Sequence, residues 1–470
     1  MNNEKQGLDL TTGNVPILLL KFALPMLVAG FLQMANIFIT TIYVGRLLGD
    51  TCLAAVTMSM PIIFVLIAIS NGFTLACSVL ISQHMGRKDY IKTERIVQTS
   101  TLLIIIISLC IFTIGQIFTP LILKALGAEG EVLRLSINFM RILWFAIPFI
   151  TIQALYTAML RGIGNSTTAL YFQSISIIIV LIFMPLVIGG SAALNLPAFG
   201  FEGGAFVMAA ASVISTIAMG IHMQIAKYRV SPNWKELYMR KSILKSLTKI
   251  GLPAALQQAI VSIGMAVVLG IVANYGEEVI AAYGVASRID NLAFLPAMSI
   301  GMAIASLTGQ NLGAGKVDRV NTIFQWGMLY CLVFTLTASA LAYFVPHIIL
   351  TPFLKEDESA EVLRVGISYL KIVGLAYPFF ALTFISNGVI NGAGKTIVIT
   401  ILSLFNLWIL RVPLAWYLSN RMDSEVGIWY TLAISFAFAS ILSFLYYKFG
   451  NWKKEFIKKE EPISEIVNVL

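Results

Sequence analysis

Charged residues are scarce in this 470-residue chain. Asp, Glu, Lys and Arg together make up 12% of it, whereas hydrophobic residues make up 58%. A soluble globular domain is about a quarter charged. The shortage therefore excludes an ordinary soluble protein and predicts a protein embedded in a lipid bilayer.

Cysteine and histidine are also rare, with four and three residues respectively. The cysteines stand singly in apolar segments and form no CxxC pair, so neither a disulfide framework nor a zinc site is indicated. The histidines lack the spacing of metal ligands. No serine–histidine or paired-carboxylate arrangement can be placed on one site. The sequence thus predicts no metal, no cofactor and no catalytic residue, and we do not expect an enzyme.

Long apolar runs recur from end to end. About 20 residues suffice to cross a bilayer core of about 30 Å as a helix, and such a helix satisfies its own backbone groups in lipid. The ten-residue alternation of a membrane β-barrel is absent. We therefore predict an all-α integral membrane protein with twelve transmembrane helices, at residues 15–46, 53–81, 96–122, 132–160, 167–189, 203–225, 247–273, 279–308, 319–350, 361–389, 396–419 and 425–449.

Basic residues account for the net charge of +9 and are concentrated in every second loop. Arg87 and Lys88 follow the second span, and the stretch 227–249 after the sixth span is rich in Lys and Arg. Because Lys and Arg bias sets orientation, these loops and both termini are predicted to be cytoplasmic, with the chain in the cytoplasmic (inner) cell membrane. The same bias explains the positive charge without a nucleic acid partner.

The two halves of the chain match at a nearly constant offset. The offset is 227 for Gln83 and Gln310 (310 − 83) and 230 for Arg161 and Asn391 (391 − 161). Six spans per half is an even number, so the pattern predicts two six-helix bundles related as a parallel internal repeat. The predicted domains are an N-lobe at 1–225, a basic cytoplasmic linker at 226–249, a C-lobe at 250–449 and a cytoplasmic tail at 450–470.

Three charged residues lie deep in predicted spans: Asp290 and Arg288 in span 8, and Arg411 in span 11. A charge at such depth costs about 2.5–3.5 kcal/mol even on the lenient insertion scale, so it should face protein or water. Asp290 and Arg288 are two residues apart on a helix and do not face each other, whereas Arg411 is placed to reach Asp290. Two interpretations remain open. Either Asp290 is a protonatable, ion-coupling carboxylate whose ion pair rearranges during transport, or a permanent Asp290–Arg411 or Asp290–Arg288 network locks the second lobe together.

A polar stripe follows one face of the first predicted span, at Gln33, Asn36 and Thr40. The matching stripe in span 7 begins with Gln257. Polar side chains in an apolar helix either line a cavity or form hydrogen bonds between helices. Because the first helix of each half presents such a stripe, we favour a substrate cavity lined by these four residues.

Glycine-containing motifs punctuate the chain, and two of them are duplicated. They are Val44-Gly45-Arg46-Leu47-Leu48-Gly49 with Leu53-Ala54-Ala55, Gly309-Gln310-Asn311-Leu312-Gly313-Ala314 with its twin at Gln83, and Arg161-Gly162-Ile163-Gly164 with its twin Asn391-Gly392-Ala393-Gly394. In this order, and together with twelve spans, they resemble the bacterial branch of the multidrug and toxic compound extrusion (MATE) family. The resemblance covers nearly the whole chain. It implies two six-helix bundles around a central cavity, motif turns at these glycines, and export by antiport against protons or sodium ions.

The chain departs from that family at its usual coupling carboxylates. Thr40 stands where many members carry an Asp in the first span, and Met184 replaces the Asp of a common Asp-Pro pair. The neighbourhoods of Val261 and Phe380 are apolar, where other branches have a Glu and an Asp. Asp290 is then the remaining deep acid, and the coupling ion stays open.

The function we expect is a cation-coupled antiporter, driven by H⁺ or Na⁺, that exports drugs or amphipathic organic compounds by alternating access. Its partners are a small-molecule substrate, the coupling ion and the bilayer, and we expect a monomer. The alternatives are a lipid-linked oligosaccharide flippase of the same superfamily and an exporter of an organic anion. A membrane-embedded enzyme would need a cluster of catalytic residues, and a channel would need a filter-like sequence; neither is found.

Overall fold

A computed structural model describes residues 7–190, 197–353 and 360–453 of the chain, apart from the side chains at positions 50 and 64–67. The predicted tail at 450–470 therefore lies outside the described residues from 454 onward. The first half contains α1 (Val15–Leu48), α2 (Asp50–Gly86), α3 (Tyr90–Ala125), α4 (Gly130–Gly162), α5 (Thr167–Gly189) and α6 (Gly200–Ile225). The second half contains α7 (Lys241–Ala273), α8 (Glu277–Gly313), α9 (Val317–Phe344), α10 (Pro346–Leu350), α11 (Ala360–Val373), α12 (Tyr377–Gly392), α13 (Thr396–Leu404), α14 (Val412–Met422) and α15 (Val426–Phe449).

Helices long and apolar enough to cross a membrane dominate this described part, which contains no β-strand. Eleven helical stretches qualify, and α2 adds a twelfth when its two arms, which meet at a bend of 45°, are taken as one span. The prediction of an all-α membrane protein with twelve spans is thus confirmed. Several helices continue beyond the predicted spans, as α2 does to Gly86, because the helical hydrogen bonds extend past the apolar run.

Two spans are interrupted next to a proline. Between α11 and α12 lies a single 3-10 turn, Gly374–Ala376, and Pro378 follows it. Between α13 and α14 lies a π-helical segment, Phe405–Arg411, and Pro413 follows that one. Proline has no N–H to donate to the carbonyl four residues earlier and crowds it. The regular helix is therefore lost just ahead of each proline.

Contacts divide the chain into two units, which are interleaved along the sequence. The first unit comprises Met1–Asp9, Leu24–Ile81 and Asp89–Ala255, and the second comprises Leu10–Ala23, Ser82–Lys88 and Leu256–Leu470. Helices α1, α2 and α7 are each divided between the two units. The predicted lobes are contiguous segments instead, and their boundaries stay a prediction.

The first unit has a core in which α3 packs closely on α4. Trp144 of α4 is fully buried, and its indole N–H donates to the hydroxyl of Thr119 at 2.7 Å. A Cβ atom at Gly115 would overlap the Trp144 ring. A large side chain on one helix is thus accommodated by a glycine on the other, which is how interiors reach their high packing density.

The second unit has a separate core, built from α8, α11, α12 and α15. Its largest fully buried side chains are Trp429, Tyr369 and Tyr377. Two tyrosine hydroxyls inside an apolar core need a hydrogen-bond partner. Their partner is Asp290, which makes this core the place where the candidate site lies.

Large apolar side chains cover the outside of the helices. Examples with more than half of their surface exposed are Ile17, Leu121, Phe145, Ile225 and Phe344. In water such a surface would associate or aggregate, whereas lipid tails are as apolar as these side chains. The exposed surface is therefore that of a membrane protein.

Candidate functional site

The duplicated glutamine motifs meet at a close helix crossing within the second unit. A Cβ atom at Gly86 would overlap the backbone carbonyl of Gln310, and one at Gly313 would overlap that of Gln83. The two contacts correspond to each other, since Gly86 and Gly313 are 227 residues apart (313 − 86). Glycines let membrane helices approach backbone to backbone. The motif glycines thus pack the end of α2 against the end of α8.

A second pair of motif glycines makes equivalent contacts, one in each unit. A Cβ atom at Gly162 would overlap the side chain of Ile81, and one at Gly392 would overlap the carbonyl of Ala305. In addition, the carbonyl of Gly392 accepts a hydrogen bond from Gln83 Nε2 at 2.9 Å. These glycines end α4 and α12, and their role in the structure is close packing as well as chain reversal.

The remaining motif glycines differ in how closely they are packed. A Cβ atom at Gly309, in the last part of α8, would overlap the hydroxyl of Ser82 in the second unit. Gly45 of α1 lies in the first unit, and a Cβ there would be 3.8 Å from Leu53, an ordinary contact. The packing requirement is therefore strict at Gly309 and weak at Gly45.

The segment that precedes α1 is held in the second unit by the end of α8. The N–H of Leu10 donates to Gln310 Oε1 at 3.1 Å, and the Leu10 carbonyl accepts from Asn311 Nδ2 at 3.0 Å. Leu10 itself is fully buried. Further hydrogen bonds to this segment come from Lys316, to the Thr11 carbonyl, and from Arg319, to the carbonyls of Thr12 and Gly13. The Gln-Asn motif therefore anchors the turn at residues 10–13 that precedes α1.

Asp290 lies near the middle of α8 and is buried, with 7% of its surface exposed. The hydroxyl of Tyr369 donates to its Oδ2 and the hydroxyl of Tyr377 donates to its Oδ1, both at 2.6 Å. Such short bonds are typical of donors to an ionised oxygen. Each carboxylate oxygen thus has one tyrosine, one from α11 and one from the first turn of α12.

Aromatic rings surround this carboxylate. Tyr283, two turns before Asp290 on α8, stacks on Trp429 with ring centroids 5.8 Å apart, and Trp429 meets Tyr369 edge to face at 4.8 Å. On the other side, Phe294 meets Tyr377 edge to face at 5.3 Å. Rings in contact on both sides fix the two tyrosines that hold Asp290. The carboxyl group of Asp290 is consequently held in one orientation by two positioned donors.

Arg411 is buried in the π-helical segment but forms no ion pair with Asp290. Its Nε donates to the hydroxyl of Ser435 at 2.7 Å, and its guanidinium lies 4.6 Å from the centre of the Phe436 ring. The π-helical segment changes which face of span 11 this side chain occupies. The structure therefore places Arg411 against α15, while the acid is held by tyrosines of span 10.

Arg288 lies on the exposed face of α8, although Asp290 is buried. Two residues on a helix are about 200° apart, so the two side chains point to nearly opposite sides. Within the part of the chain that the structure describes, no carboxylate lies within ion-pair distance of Arg288. Of the three charged residues singled out in the sequence, one is enclosed by tyrosines, one packs on α15 and one is exposed.

The polar stripe of α1 becomes progressively more buried toward the C-terminal end of the helix. Gln33 is exposed, Asn36 is half-buried and Thr40 is 5% exposed. The Asn36 Oδ1 and Thr40 Oγ1 atoms are buried and have no hydrogen-bond partner among the described residues. Buried polar atoms are normally satisfied by protein or water. These two atoms, one turn apart in the first unit, are thus candidates for a polar ligand.

Gln257 lies in the second unit and already has a partner. It is half-buried, and its Nε2 donates to the hydroxyl of Ser403 at 3.2 Å. Two turns further along α7, a Cβ at Gly264 would overlap Leu407. This face of α7 therefore packs against α13 and the π-helical segment.

Sequence reasoning missed the two tyrosines of the site. Tyr369 and Tyr377 lie 79 and 87 residues after Asp290, and nothing in their own span marks them as its partners. A usable signal was present, since a tyrosine buried in an apolar span needs a hydrogen-bond partner. The π-helical segment that turns Arg411 away was also missed, although Pro413 indicated an irregularity there.

These features define a class: a membrane protein whose two helical halves are duplicated, which is how many secondary transporters are built. In the described residues no group of three or more His, Cys, Asp or Glu is arranged to hold a metal.

The MatE family model matches residues 25–186 and again residues 253–417. The chain belongs to the MatE family of multidrug efflux transporters. The two matches begin 228 residues apart (253 − 25), which confirms the internal repeat.

Individual relatives agree with this assignment. The chain is 29% identical to the probable multidrug resistance protein YoeA of Bacillus subtilis (strain 168) over 442 residues, covering 93% of this chain and 94% of that protein. A solved structure described as the outward-facing conformation of a multidrug resistance MATE family transporter superposes with a TM-score of 0.86 at 22% identity, covering 97% of this chain and 99% of the other.

A second solved structure shares the fold. It is a MOP superfamily transporter from Pyrococcus furiosus, and the reverse polarity of its binding pocket is said to suggest a different function. The TM-score is 0.87 at 22% identity, and the match covers 95% of this chain and 98% of the other. At this identity both structures show the fold alone.

Proposed function

We propose that this chain is a cation-coupled antiporter that exports drugs or amphipathic organic compounds by alternating access. The observation that carries the proposal is the enclosed carboxylate of Asp290, which accepts from two tyrosine hydroxyls and has no ion-pair partner among the described residues. An uncompensated charge in a membrane span is costly and is by default a functional site. A carboxylate that takes up a cation in one state and releases it in another converts an ion gradient into a conformational change.

A proton is the cation that this arrangement favours. Both carboxylate oxygens already accept a hydroxyl hydrogen, and a protonated carboxyl can still accept at one oxygen while it donates from the other. A sodium ion would need oxygen lone pairs directed toward it. The tyrosine hydroxyls direct their hydrogens toward Asp290 instead. Sodium coupling remains the competing outcome of the experiment below.

The path of the substrate is proposed to include the polar stripe of α1. Gln33 is exposed, and the unpartnered atoms of Asn36 and Thr40 lie on the same helix face. Gln257 belongs to the matching stripe in the second half, and its hydrogen bond to Ser403 would open when substrate binds. Parallel repeats suit rocking of one half against the other. Arg411 is proposed to take part in ion coupling indirectly, through α15, because its hydrogen bond is to Ser435 of that helix.

The location proposed is the cytoplasmic membrane, with both termini and the basic loops on the cytoplasmic side and the chain acting as a monomer. The support is the distribution of Lys and Arg, which sets orientation when it alternates between loops. The 226–249 stretch then joins the halves on the cytoplasmic side.

An exporter of organic anions is a second candidate, and a specific observation favours it. Arg288 is an exposed cation inside a membrane span, and no described carboxylate pairs with it. The Pyrococcus furiosus transporter, which has this fold, is described as having a binding pocket of reverse polarity. A flippase for a lipid-linked oligosaccharide would have the same fold. It differs from both candidates in that the molecule it transports is a lipid.

The deciding experiment uses Asp290→Asn, which keeps the size of the side chain and removes its charge. Purified protein in proteoliposomes is given an outward or inward pH gradient, a sodium gradient, or none, and efflux of a cationic fluorescent dye is followed. We expect the wild type to respond to the pH gradient and Asp290→Asn to show no gradient-driven efflux. The control is Asp318→Asn, which removes an exposed carboxylate from the first turn of α9 and should transport normally.

Other results would change the assignment. Normal gradient-driven efflux by a well-folded Asp290→Asn variant would remove Asp290 from the coupling role. A response to sodium alone would replace the proton. Transport of an anionic dye in place of the cationic one, abolished by Arg288→Gln, would favour the organic-anion candidate.

A further inference from the structure

A groove between α4 and α6 shares no lining residue with the Asp290 site or with the polar stripe of α1. It encloses a cavity of about 400 Å³ in the first unit, and its walls are almost entirely apolar. At its inner end the hydroxyl of Thr216 donates to the carbonyl of Phe149 at 3.0 Å, which joins the two helices. At its outer end it is bordered by Ile225, the last residue of α6, and by Trp234 of the following loop.

The length of the groove matches one leaflet of the bilayer. Thr216 and Ile225 are nine residues apart on α6 (225 − 216), a rise of roughly 13 Å. Half of a hydrocarbon core of about 30 Å is about 15 Å. The groove therefore runs from near the middle of the membrane to one end of α6, which is the depth that a single acyl chain occupies.

The side of the groove is open to the bilayer. Ile217, Ile221 and Ile225 line it, and between 50% and 76% of each side chain is exposed. Gly220 lies between them, and a Cβ there would already be 3.2 Å from the hydroxyl of Tyr156. The missing side chain at this position deepens the groove. A membrane protein surrounded by lipid will fill such a space with a lipid tail, because the walls are almost entirely apolar.

The outer end of the groove is basic. Lys227 follows two residues after Ile225, and Lys235 follows directly after Trp234; both lysines are exposed. Neither has an ion-pair partner within the described ranges. The neighbouring acid, Glu236, accepts a hydrogen bond from Asn233. A tryptophan with lysines beside it is typical of the headgroup level of a membrane.

We propose that this groove is a binding site for an anionic glycerophospholipid. One acyl chain lies between α4 and α6 and contacts Trp234, and the phosphate of the headgroup binds Lys227 and Lys235. Each lysine close to a membrane surface contributes roughly a fivefold preference for anionic lipid. The lipid is a bound partner of the protein and not its transported substrate, so the site is independent of the proposed antiport.

The test uses quenching of Trp234 by brominated lipids in reconstituted vesicles. Brominated phosphatidylglycerol or brominated phosphatidylcholine is diluted into unbrominated phosphatidylcholine, and the difference between wild type and Trp234→Phe isolates the emission of Trp234. We expect half-quenching at a lower mole fraction of brominated phosphatidylglycerol than of brominated phosphatidylcholine. In Lys227→Gln/Lys235→Gln the required mole fraction of phosphatidylglycerol should rise roughly fivefold or more.

Matched variants separate the site from general effects. Lys241→Gln/Lys245→Gln removes two exposed charges from the start of α7 and should leave the preference unchanged. Ile217→Phe fills the groove and should reduce quenching of Trp234 by either lipid, whereas Ile214→Phe, equally exposed one turn earlier on α6 and outside the groove, should not.

Three outcomes overturn the proposal. Equal quenching by both lipids means that the groove takes any acyl chain and recognises no headgroup. Absence of quenching means that no lipid chain enters. An equal loss of preference in the Lys241→Gln/Lys245→Gln variant means that only the overall charge of the protein attracts the lipid.

Discussion

At the residue scale, the pair of tyrosines defines what Asp290 can do. A carboxylate that accepts two charge-assisted hydrogen bonds is held in one orientation, and each such bond is worth about 1.5–3 kcal/mol. The donors come from the two arms of span 10, on either side of the 3-10 turn at Gly374–Ala376. A shift of one arm relative to the other would therefore change the number of donors and, with it, the preference of Asp290 for a proton.

Tyr377→Phe tests how far Asp290 depends on its tyrosine donors, because the substitution removes only the hydroxyl oxygen. We expect the free energy of unfolding, measured by SDS titration in detergent, to fall by about 1.5–3 kcal/mol. In an Asp290→Ala background the same substitution should cost less, because the carboxylate that the hydroxyl served is gone. The difference between the two backgrounds is the coupling energy of a double-mutant cycle.

The control for this cycle is Tyr343→Phe, at a tyrosine of α9 that is 42% exposed and should be insensitive to Asp290. A cost for Tyr377→Phe that is the same in both backgrounds would mean that the hydroxyl acts independently of the carboxylate. The pH profile of efflux should change in Tyr377→Phe and not in Tyr343→Phe.

At the scale of elements, the glycine motifs set how closely helices approach. The repeat places Gly86 and Gly313 at corresponding positions, and each one meets the backbone of the opposite motif. Backbone contact of this kind replaces the hydrophobic driving force that helices lack in lipid. Sequence comparison of the halves revealed the motifs but assigned them to turns, because a glycine near the end of a span fits either role.

Gly309→Ala should destabilise the second unit. The new Cβ would overlap the hydroxyl of Ser82, and overpacking of this kind typically costs about 1–3 kcal/mol. The matched control on the same helix is Gly284→Ala, where no atom lies within 4 Å of the added Cβ. There the substitution should stabilise the helix by up to about 1 kcal/mol. Thermal unfolding in detergent measures both.

A second substitution distinguishes packing from other effects. Ser82→Ala removes the overlapping hydroxyl, so the combined Gly309→Ala/Ser82→Ala variant should recover part of the lost stability. If Gly309→Ala and Gly284→Ala behave alike, the close crossing of α2 and α8 does not depend on this glycine.

Irregular segments were the hardest elements to anticipate. Pro378 and Pro413 indicate that spans 10 and 11 are disturbed, yet one disturbance is a 3-10 turn and the other is π-helical. A proline removes one hydrogen bond but does not dictate how the neighbouring backbone repairs the loss. Whether the backbone becomes 3-10 or π-helical depends on packing against other helices. Arg411, at the end of the π-helical segment, is an example, because it donates a hydrogen bond to Ser435 of α15.

At the scale of the whole molecule, duplication has a consequence for topology. Two halves of six spans each must enter the membrane from the same side. Reporter tags inserted after Gly49 and after Gly276, which lie in corresponding loops, are thus expected on the same face of the membrane. A tag in the basic stretch 226–249 is expected on the opposite, cytoplasmic face.

Accessibility to an external protease or a membrane-impermeant label reads out this prediction. Tags after Gly49 and Gly276 on opposite faces would contradict the parallel arrangement. The tag in 226–249 serves as the internal control, since its lysines and arginines are the strongest orientation signal of the chain.

The sequence alone determined the membrane class, the number of spans and the repeat. Each of these depends on the transfer of single helices into lipid, which acts on one stretch of chain at a time. Asp290 could be singled out for the same reason, because a charge in an apolar span is costly wherever its neighbours lie.

Only the tertiary structure decided what surrounds that acid. Tyr369 and Tyr377 reach it from another span, and Arg411, the partner that spacing suggested, is turned toward α15. The groove that ends at Trp234 likewise exists only where α4 and α6 pack. Contacts between helices depend on rotation and packing of side chains far apart in sequence, and the apolar pattern of a span carries almost no information about either.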